Sequence, residues 1–274
     1  FGFKDMMTRV VAKELPMEDT EISAVMTPNP ESITPDMTVL EALQTMHENK
    51  FLTLPVCEKN GTVIGLVNVM DVIYGCGGVQ GWRSIFNTAL DLDDLSETAS
   101  YSSEYSNALG GVSSVRSNSL VKASESKKTV MNFRPRKPQI SSEEDTILAV
   151  TKKLKLNRSD ASVVVDSAGQ LKGIITDTDV TRRVVAKGLN IANTCVTDVM
   201  TSQPKFVNHD DMAMDAMMLM IEHKFRHLPV LNGINVVGTL DIAKCLNDAI
   251  SKLDRSSSEK PNATKDLMRK AINW

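Results

Sequence analysis

Aromatic residues make up only 4% of the 274 residues of this chain, and neither sign of charge dominates it. Thirty-one Lys and Arg stand against 34 Asp and Glu, a formal charge of -3. There is no positive excess to neutralise a phosphate backbone, which argues against a nucleic acid partner. Long hydrophobic runs are also missing. None reaches the roughly 20 apolar residues of a membrane helix, and the opening Phe1-Gly2-Phe3-Lys4-Asp5 lacks the charged-then-apolar pattern of a signal peptide. The chain is therefore expected to be soluble and cytoplasmic, with no membrane partner. The cysteines Cys57, Cys76, Cys195 and Cys245 lie far apart without a C-x-x-C pair, which argues against a disulfide framework or a zinc knuckle. They are expected as buried thiols. Catalytic signatures are absent too. His47, His209, His223 and His227 show no H-E-x-x-H spacing, and there is no G-x-S-x-G elbow or Walker loop. The run from Gly75 to Gly81 misses G-x-G-x-x-G by one residue and follows a predicted helix, so it reads as a helix end entering a loop. No catalytic residue, metal ligand or cofactor is expected.

What the chain does have is 42% hydrophobic and 24% charged residues, near the soluble globular average, and the length of about two domains. Met214, Met217, Met218 and Met220 crowd one segment, either as core filler or as an adaptable contact surface. Above all it has a repeat. Val25-Met26-Thr27 with Pro30 recurs 174 residues later as Val199-Met200-Thr201 with Pro204. At the same offset, Phe51-Leu52-Thr53-Leu54-Pro55-Val56 returns as Phe225-Arg226-His227-Leu228-Pro229-Val230. Thr8 to Lys13 likewise matches Arg182 to Lys187, and a further copy shares Asn157, Gly169, Gly173 and Asp179 with Asn49, Gly61, Gly65 and Asp71.

The spacing divides the chain into a repeat remnant at 1–15, repeats at 16–78, 131–189 and 190–250, a Ser-rich linker at 79–130 and a polar helical tail at 251–274. Within a repeat, Val39, Leu40, Leu43 and Met46 recur at helical spacing behind Thr38 and Glu41, which have the form of a capping box. Leu54 to Cys57 and Val63 to Val67, separated by Asn60-Gly61, predict a hairpin, and Asn232-Gly233 marks the same turn in the last repeat. A second helix follows, as at Val180 to Lys187. The unit is helix, strand, strand, helix behind an extended lead-in through Val-Met-Thr. A unit of about 60 residues struggles to bury its apolar sheet face alone, so two are expected to pack together. The N-terminal half repeat is expected to be completed by the repeat at 16–78 or by another chain. The segment Gly81 to Phe86 reads as a short amphipathic turn able to dock, with a flexible stretch from residue 87 onward.

Three motifs carry a family likeness: Val-Met-Thr followed by Pro, Phe-x-x-Leu-Pro-Val, and Gly173-Ile174-Ile175-Thr176-Asp177-Thr178-Asp179. With them the repeats resemble CBS domains, which pair into Bateman modules that bind adenosine nucleotides. The resemblance implies an α/β (α+β) fold of tandem CBS domains paired about a pseudo-twofold axis. A narrower likeness is to fungal and plant proteins with two CBS pairs followed by a Phox-and-Bem-type interaction domain. In that family the first repeat here would come last. Gly110-Gly111 is the candidate junction of the permuted order, and no such interaction domain stands in the sequence.

Candidate site residues follow from both lines. Thr176-x-x-Asp179 is a capping box by spacing. By resemblance, its hydroxyl meets phosphate and its carboxylate, able to accept two hydroxyl protons, holds a ribose diol. The two roles are compatible. Asn68-x-x-Asp71 holds this place in the first repeat and can still donate a hydrogen bond. Asp241-x-x-Lys244 holds it in the third, where the ammonium of Lys244 cannot accept, so a lost or changed site is expected there. The remnant keeps the carboxylate, at Gly2-x-x-Asp5, without the hydroxyl. Arg226 and His227 are either a phosphate grip or a solvated strand end. Ala161 and Ser162 are either the wall of an adenine pocket or plain core, and Ile140 resembles the residue whose backbone meets the base. The expected function is a non-catalytic regulatory module binding an adenosine-type nucleotide, AMP, ADP or ATP, and assembling as a homodimer through its CBS repeats. The alternative is a CBS-pair scaffold that binds nothing small.

Overall fold

The computed structural model describes residues 1–49, 51–75, 81–92 and 128–256. These form a mixed helix and strand fold with three sheets among the described residues. β1 (Thr53–Cys57) and β2 (Val63–Asn68) make a two-stranded sheet. β3 (Ile140–Ser142), β4 (Ala161–Val165), β5 (Leu171–Thr176) and β6 (Thr201–Ser202) make a four-stranded one in that order. β7 (Val207–Asn208), β8 (His227–Asn232) and β9 (Asn235–Asp241) make the third. Each repeat thus contributes one antiparallel hairpin, and the two Asn-Gly turns form as the spacing predicts. Gly61 and Gly233 take φ of +88° and +61°, the left-handed region that such turns require.

The chain separates into two compact units. The first holds Phe1–Ser32, Arg134–His209 and Arg226–Asp241, and so contains the hairpins of the second and third repeats. Its core gathers Ile147, Val150 and Leu154 of the Ile147–Leu156 helix with Val164, Ile175, Val180, Val184 and Val196. Met7 and Val11 of the N-terminal remnant lie in the same core. The remnant is therefore seated with the second repeat, a partner that its sequence did not indicate. Residues 3–13 and 177–187 share one irregular backbone: a short α-turn, a wide π-type turn and a tight 3-10 turn, each closed by a left-handed residue, Glu14 or Gly188.

The second unit holds the β1–β2 hairpin and its flanking helices, with described residues drawn from Ile33–Phe133, Asp210–Phe225 and the segment from Ile242. Thr38 and Glu41 form the expected capping box, with Glu41 Oε2 accepting from Thr38 N at 2.8 Å and Glu41 N donating to Thr38 Oγ1 at 3.3 Å. Residues 81–92 are helical, which corrects the expectation of a short turn followed by a flexible stretch from 87. Trp82, Ile85, Phe86, Ala89 and Leu90 supply a buried stripe at helical spacing, and Phe86 meets Phe133 edge-on at 5.9 Å. The rest of the expected linker, 93–127, lies outside the described residues, as do Cys76 and the tail from 257. Met217 and Met220 are fully buried in the Ala213–Glu222 helix, so this Met cluster serves chiefly as core filler. Cys245 is buried as expected, whereas Cys57 and Cys195 are only half-buried.

Candidate functional site

Each repeat has one joint where the second hairpin strand turns into a helix, and the candidate side chains lie at these joints. In the second repeat β5 ends at Thr176, still extended at φ -124°. Its hydroxyl accepts from Asp179 N at 3.3 Å, while Asp179 Oδ2 accepts from Thr176 N at 3.0 Å and from Thr176 Oγ1 at 2.8 Å. This is the predicted capping box, and it satisfies backbone donors that the first helical turn leaves open. The other carboxylate oxygen, Asp179 Oδ1, lies 3.3 Å from Arg183 Nε, and Arg183 Nη1 donates to Val199 O at 2.9 Å. The remnant repeats these contacts. Gly2 N donates to Asp5 Oδ2 at 2.9 Å, Arg9 Nε lies 3.2 Å from Asp5 Oδ1, and Arg9 Nη1 donates to Val25 O at 2.9 Å. In the first repeat, Asn68 caps with its side chain: Oδ1 accepts from Met70 N at 2.8 Å, Nδ2 donates to Thr53 Oγ1 at 2.7 Å, and Asp71 Oδ2 accepts from Asn68 N at 3.2 Å.

The third repeat departs from this pattern. Asp241 pairs across its hairpin with His227, as Thr176 pairs with Ala161. Its carboxylate is turned to the guanidinium of Arg226, with Nε to Oδ1 at 3.4 Å and Nη2 to Oδ2 at 3.1 Å. The same Nη2 lies 2.7 Å from Asp160 Oδ2, and His227 Nε2 lies 3.3 Å from Asp160 Oδ1. That imidazole contact is an ion pair when the ring is protonated, and Nε2 makes no well-directed hydrogen bond in this geometry. Asp177 completes the cluster, its backbone N–H donating to Asp160 O at 2.9 Å. Lys244 is paired with Asp248 at 3.1 Å, as befits a residue unable to act as an acceptor.

Burial alone raises the carboxyl pKa of Asp160 and Asp241 by penalising their charged forms. It is outweighed at Asp160 by the imidazole contact and the Arg226 charge, and at Asp241 by the Arg226 charge, so both groups are held below the usual carboxylate value. Asp177 goes the other way, raised by burial and by the negative charge of Asp160. Burial opposes the charge on Arg226, but Asp241 and Asp160 more than restore it. Asp160, His227 and Asp241 each offer a donor atom within 4.8 Å of the others, a spacing that a metal can bridge. Arg226 already pairs with both carboxylates, so a metal would have to displace it, and the donor set reads as a charge cluster.

Beside the cluster opens a cavity of about 190 Å³ lined by residues of both repeats. Arg136, Lys137 and Arg158 bring positive charge to its wall, with Ser159, Thr239, Asp160 and Asp241 as further polar groups. Of the sequence candidates, Ala161 and His227 line this cavity. Ile140 lies outside its lining; its side chain is exposed and its carbonyl accepts from Lys153. Ser162 is buried, its hydroxyl donating to Gln139 O at 3.0 Å and lying 2.8 Å from Ser141 Oγ. Thr176, Asp179 and Arg226 lie outside the lining as well, and Asn68 and Asp71 belong to the other unit. Sequence reasoning missed Asp160, Asp177 and the basic wall. A signal for Asp160 was present: it stands one residue before the hairpin strand in its repeat, where the third repeat has Arg226. Opposite charges at matching positions of paired repeats mark an ion pair.

Comparison with known proteins bears on the repeats and on the fold. A sequence profile described as "CBS domain" matches residues 22–76, 135–186 and 196–248, together more than half of the chain. The CBS domain-containing protein CBSCBSPB2 of Arabidopsis thaliana is 39% identical over 136 residues, covering 50% of this chain and 25% of that protein. The meiotically up-regulated gene 70 protein of Schizosaccharomyces pombe is 37% identical over 108 residues, covering 36% of this chain and 15% of that protein. The chain thus spans about a quarter or less of the length of these relatives. Among solved structures, a Methanocaldococcus jannaschii protein described as an archaeal homolog of g-AMPK shares the fold at a TM-score of 0.57, with 14% identity, covering 90% of this chain and 81% of that one.

Proposed function

The chain belongs to the family of CBS-domain proteins, and on that premise we propose that its second and third repeats form a non-catalytic regulatory module for an adenosine-type nucleotide, AMP, ADP or ATP. The observation that carries this reading is the 190 Å³ cavity, where Arg136, Lys137 and Arg158 surround carboxylates and hydroxyls drawn from two repeats. Guanidinium and ammonium groups are the natural grip for phosphate, and carboxylates for the two hydroxyls of a ribose. Ala161 and His227 are the wall residues offered to the ligand, and Ser162, Ile140 and Arg226, outside the lining, serve it only through their neighbours. Thr176 and Asp179 act where β5 meets its helix. Asp179 Oδ2 already accepts twice, from Thr176 N and Thr176 Oγ1, so the acceptor left for a ligand without abandoning the cap is Oδ1, beside Arg183 Nε. Asn68 and Asp71 offer related chemistry in the first repeat.

Binding transmits a signal to the extent that the bound and free arrangements of attached segments differ in ligand affinity. Homodimerisation through CBS repeats belongs to the same proposal, as does a place within a larger protein of the kind carrying two CBS pairs and a Phox-and-Bem-type domain. A thermal-shift screen with AMP, ADP and ATP tests the reading. A ligand at 100 times its dissociation constant adds about 2.7 kcal/mol, a shift of several degrees. One nucleotide is expected to give that shift, and Asp179→Ala and Arg158→Ala to reduce it. Stability indifferent to all three would move the assignment to the ligand-free scaffold.

A further inference from the structure

The second and third repeats cover each other's open strand edges. β5 is flanked on its outer side by β6, the lead-in of the third repeat, with Ile174 opposite Thr201. In return Arg136, in the lead-in of the second repeat, bridges Thr239 of β9, with Arg136 N donating to Thr239 O at 3.0 Å and Thr239 N to Arg136 O at 2.9 Å. A glycine makes room at each crossing. A side chain at Gly173 would run into Met200, and a Cβ at Gly238 would stand 2.6 Å from Pro135 Cβ.

The first repeat has the same parts without the exchange. Gly65 holds the place of Gly173 and Gly238, and a Cβ there would meet nothing within 4 Å. β2 has β1 on one edge and no strand on the other among the described residues. Leu66, which matches Ile174, is 69% exposed, whereas Ile174 is 8% exposed. Val63 and Ile64 beside it are exposed as well. The lead-in of the same repeat fills no strand edge either; Arg9 holds it from one side, with Nη1 donating to Val25 O at 2.9 Å and Nη2 to Thr27 Oγ1 at 3.1 Å. Met26 and Ile22 are 39% and 63% exposed, while their counterparts Met200 and Val196 pack in or against the core of the first unit. Thr27, the counterpart of Thr201, belongs to no strand.

We infer that β2 takes the lead-in of a second copy of this chain, residues 26–28, as its missing edge strand, with Met26 seated over Gly65 and Thr27 beside Leu66. An exposed apolar edge with free backbone donors and acceptors is a template for pairing. A second copy fits because each chain carries both an open edge and a lead-in that fills no edge of its own but is of the type that fills such edges in the other repeats. A twofold dimer satisfies both at once, as an isologous interface requires. The inference deepens the proposed self-association by naming its surface, and it does not depend on the nucleotide.

Sedimentation velocity over a concentration series tests it, beside Leu66→Lys and Met26→Lys. Both sites are exposed within the chain, so neither change is expected to unfold it, and retained melting curves confirm that. The wild type is expected to dimerise, with each lysine weakening the dimer by about 100-fold, the scale of one buried unpaired charge. Mixing Thr27→Cys with Leu66→Cys is expected to give a disulfide-linked dimer on non-reducing gels that neither variant forms alone. A wild-type dimer indifferent to Leu66→Lys, or a mixture that fails to cross-link, overturns this interface while leaving self-association standing. A wild type that stays monomeric overturns both and leaves the edge to a partner other than a second copy of these residues.

Discussion

Thr176 and Asp241 occupy one position in two repeats, facing Ala161 and His227 across their hairpins, and they do different work. Thr176 turns inward on its own chain, closing a capping box with Asp179. Asp241 turns to Arg226, whose guanidinium also reaches Asp160 of the neighbouring repeat. The joint is set by the hairpin and the helix that follows it, and a single side chain then decides whether it serves the local backbone or the pairing of repeats. The sequence records the switch in the fourth residue, where an acid completes the box at Asp179 and Lys244 cannot.

Three experiments press on this contrast. Arg226→Ala should do the most damage, since it leaves Asp160 and Asp241 buried without their shared cation. Removing one partner of a buried ion pair costs about 3–5 kcal/mol, and the melting midpoint is expected to fall by about 10 °C. Arg226→Met, which keeps most of the packing, separates lost charge from lost volume. The second test is acid. Asp160 and Asp241 have folded-state pKa values below the unfolded value of 3.8, so the stability they contribute is present above about pH 4 and is lost as pH falls below it. Asp177, shifted upward, has the opposite sign: it favours the fold at low pH and weakens it as pH rises past 3.8. Melting curves against pH should therefore fall on the acid side in the wild type, and start lower but fall less steeply in Asp241→Asn. The third and smallest effect is at the other joint. Thr176→Ala removes a helix cap worth about 1 kcal/mol and should lower the midpoint by about 2–4 °C without changing the acid profile.

Local features were legible because their causes are local. Asn60-Gly61 and Asn232-Gly233 announced their hairpins, and Thr38 with Glu41 and Thr176 with Asp179 announced their helix starts, because each motif satisfies its backbone within a few residues. The Asp160–Arg226 pair was hidden because its partners are far apart in sequence and meet only once two repeats have packed. The segment 81–92 resembles linker because serines soon follow it; the stripe of Ile85, Phe86, Ala89 and Leu90 is the better guide to its helix. The seat of the N-terminal remnant was unreadable for a similar reason. Met7 and Val11 show that they want burial but not against which repeat.

The traded lead-ins of the second and third repeats also bear on how this pair comes apart. Melting either repeat with its lead-in strips the other's hairpin of an edge partner, so the two should open together in one cooperative event. In native-state hydrogen exchange, the amides of Arg136 and Thr239 should accordingly be released with the same free energy as those at the β5–β6 crossing, although Arg136 and Thr239 form an isolated bridge near the surface. The pair would then behave as one folding unit wound from two lengths of chain.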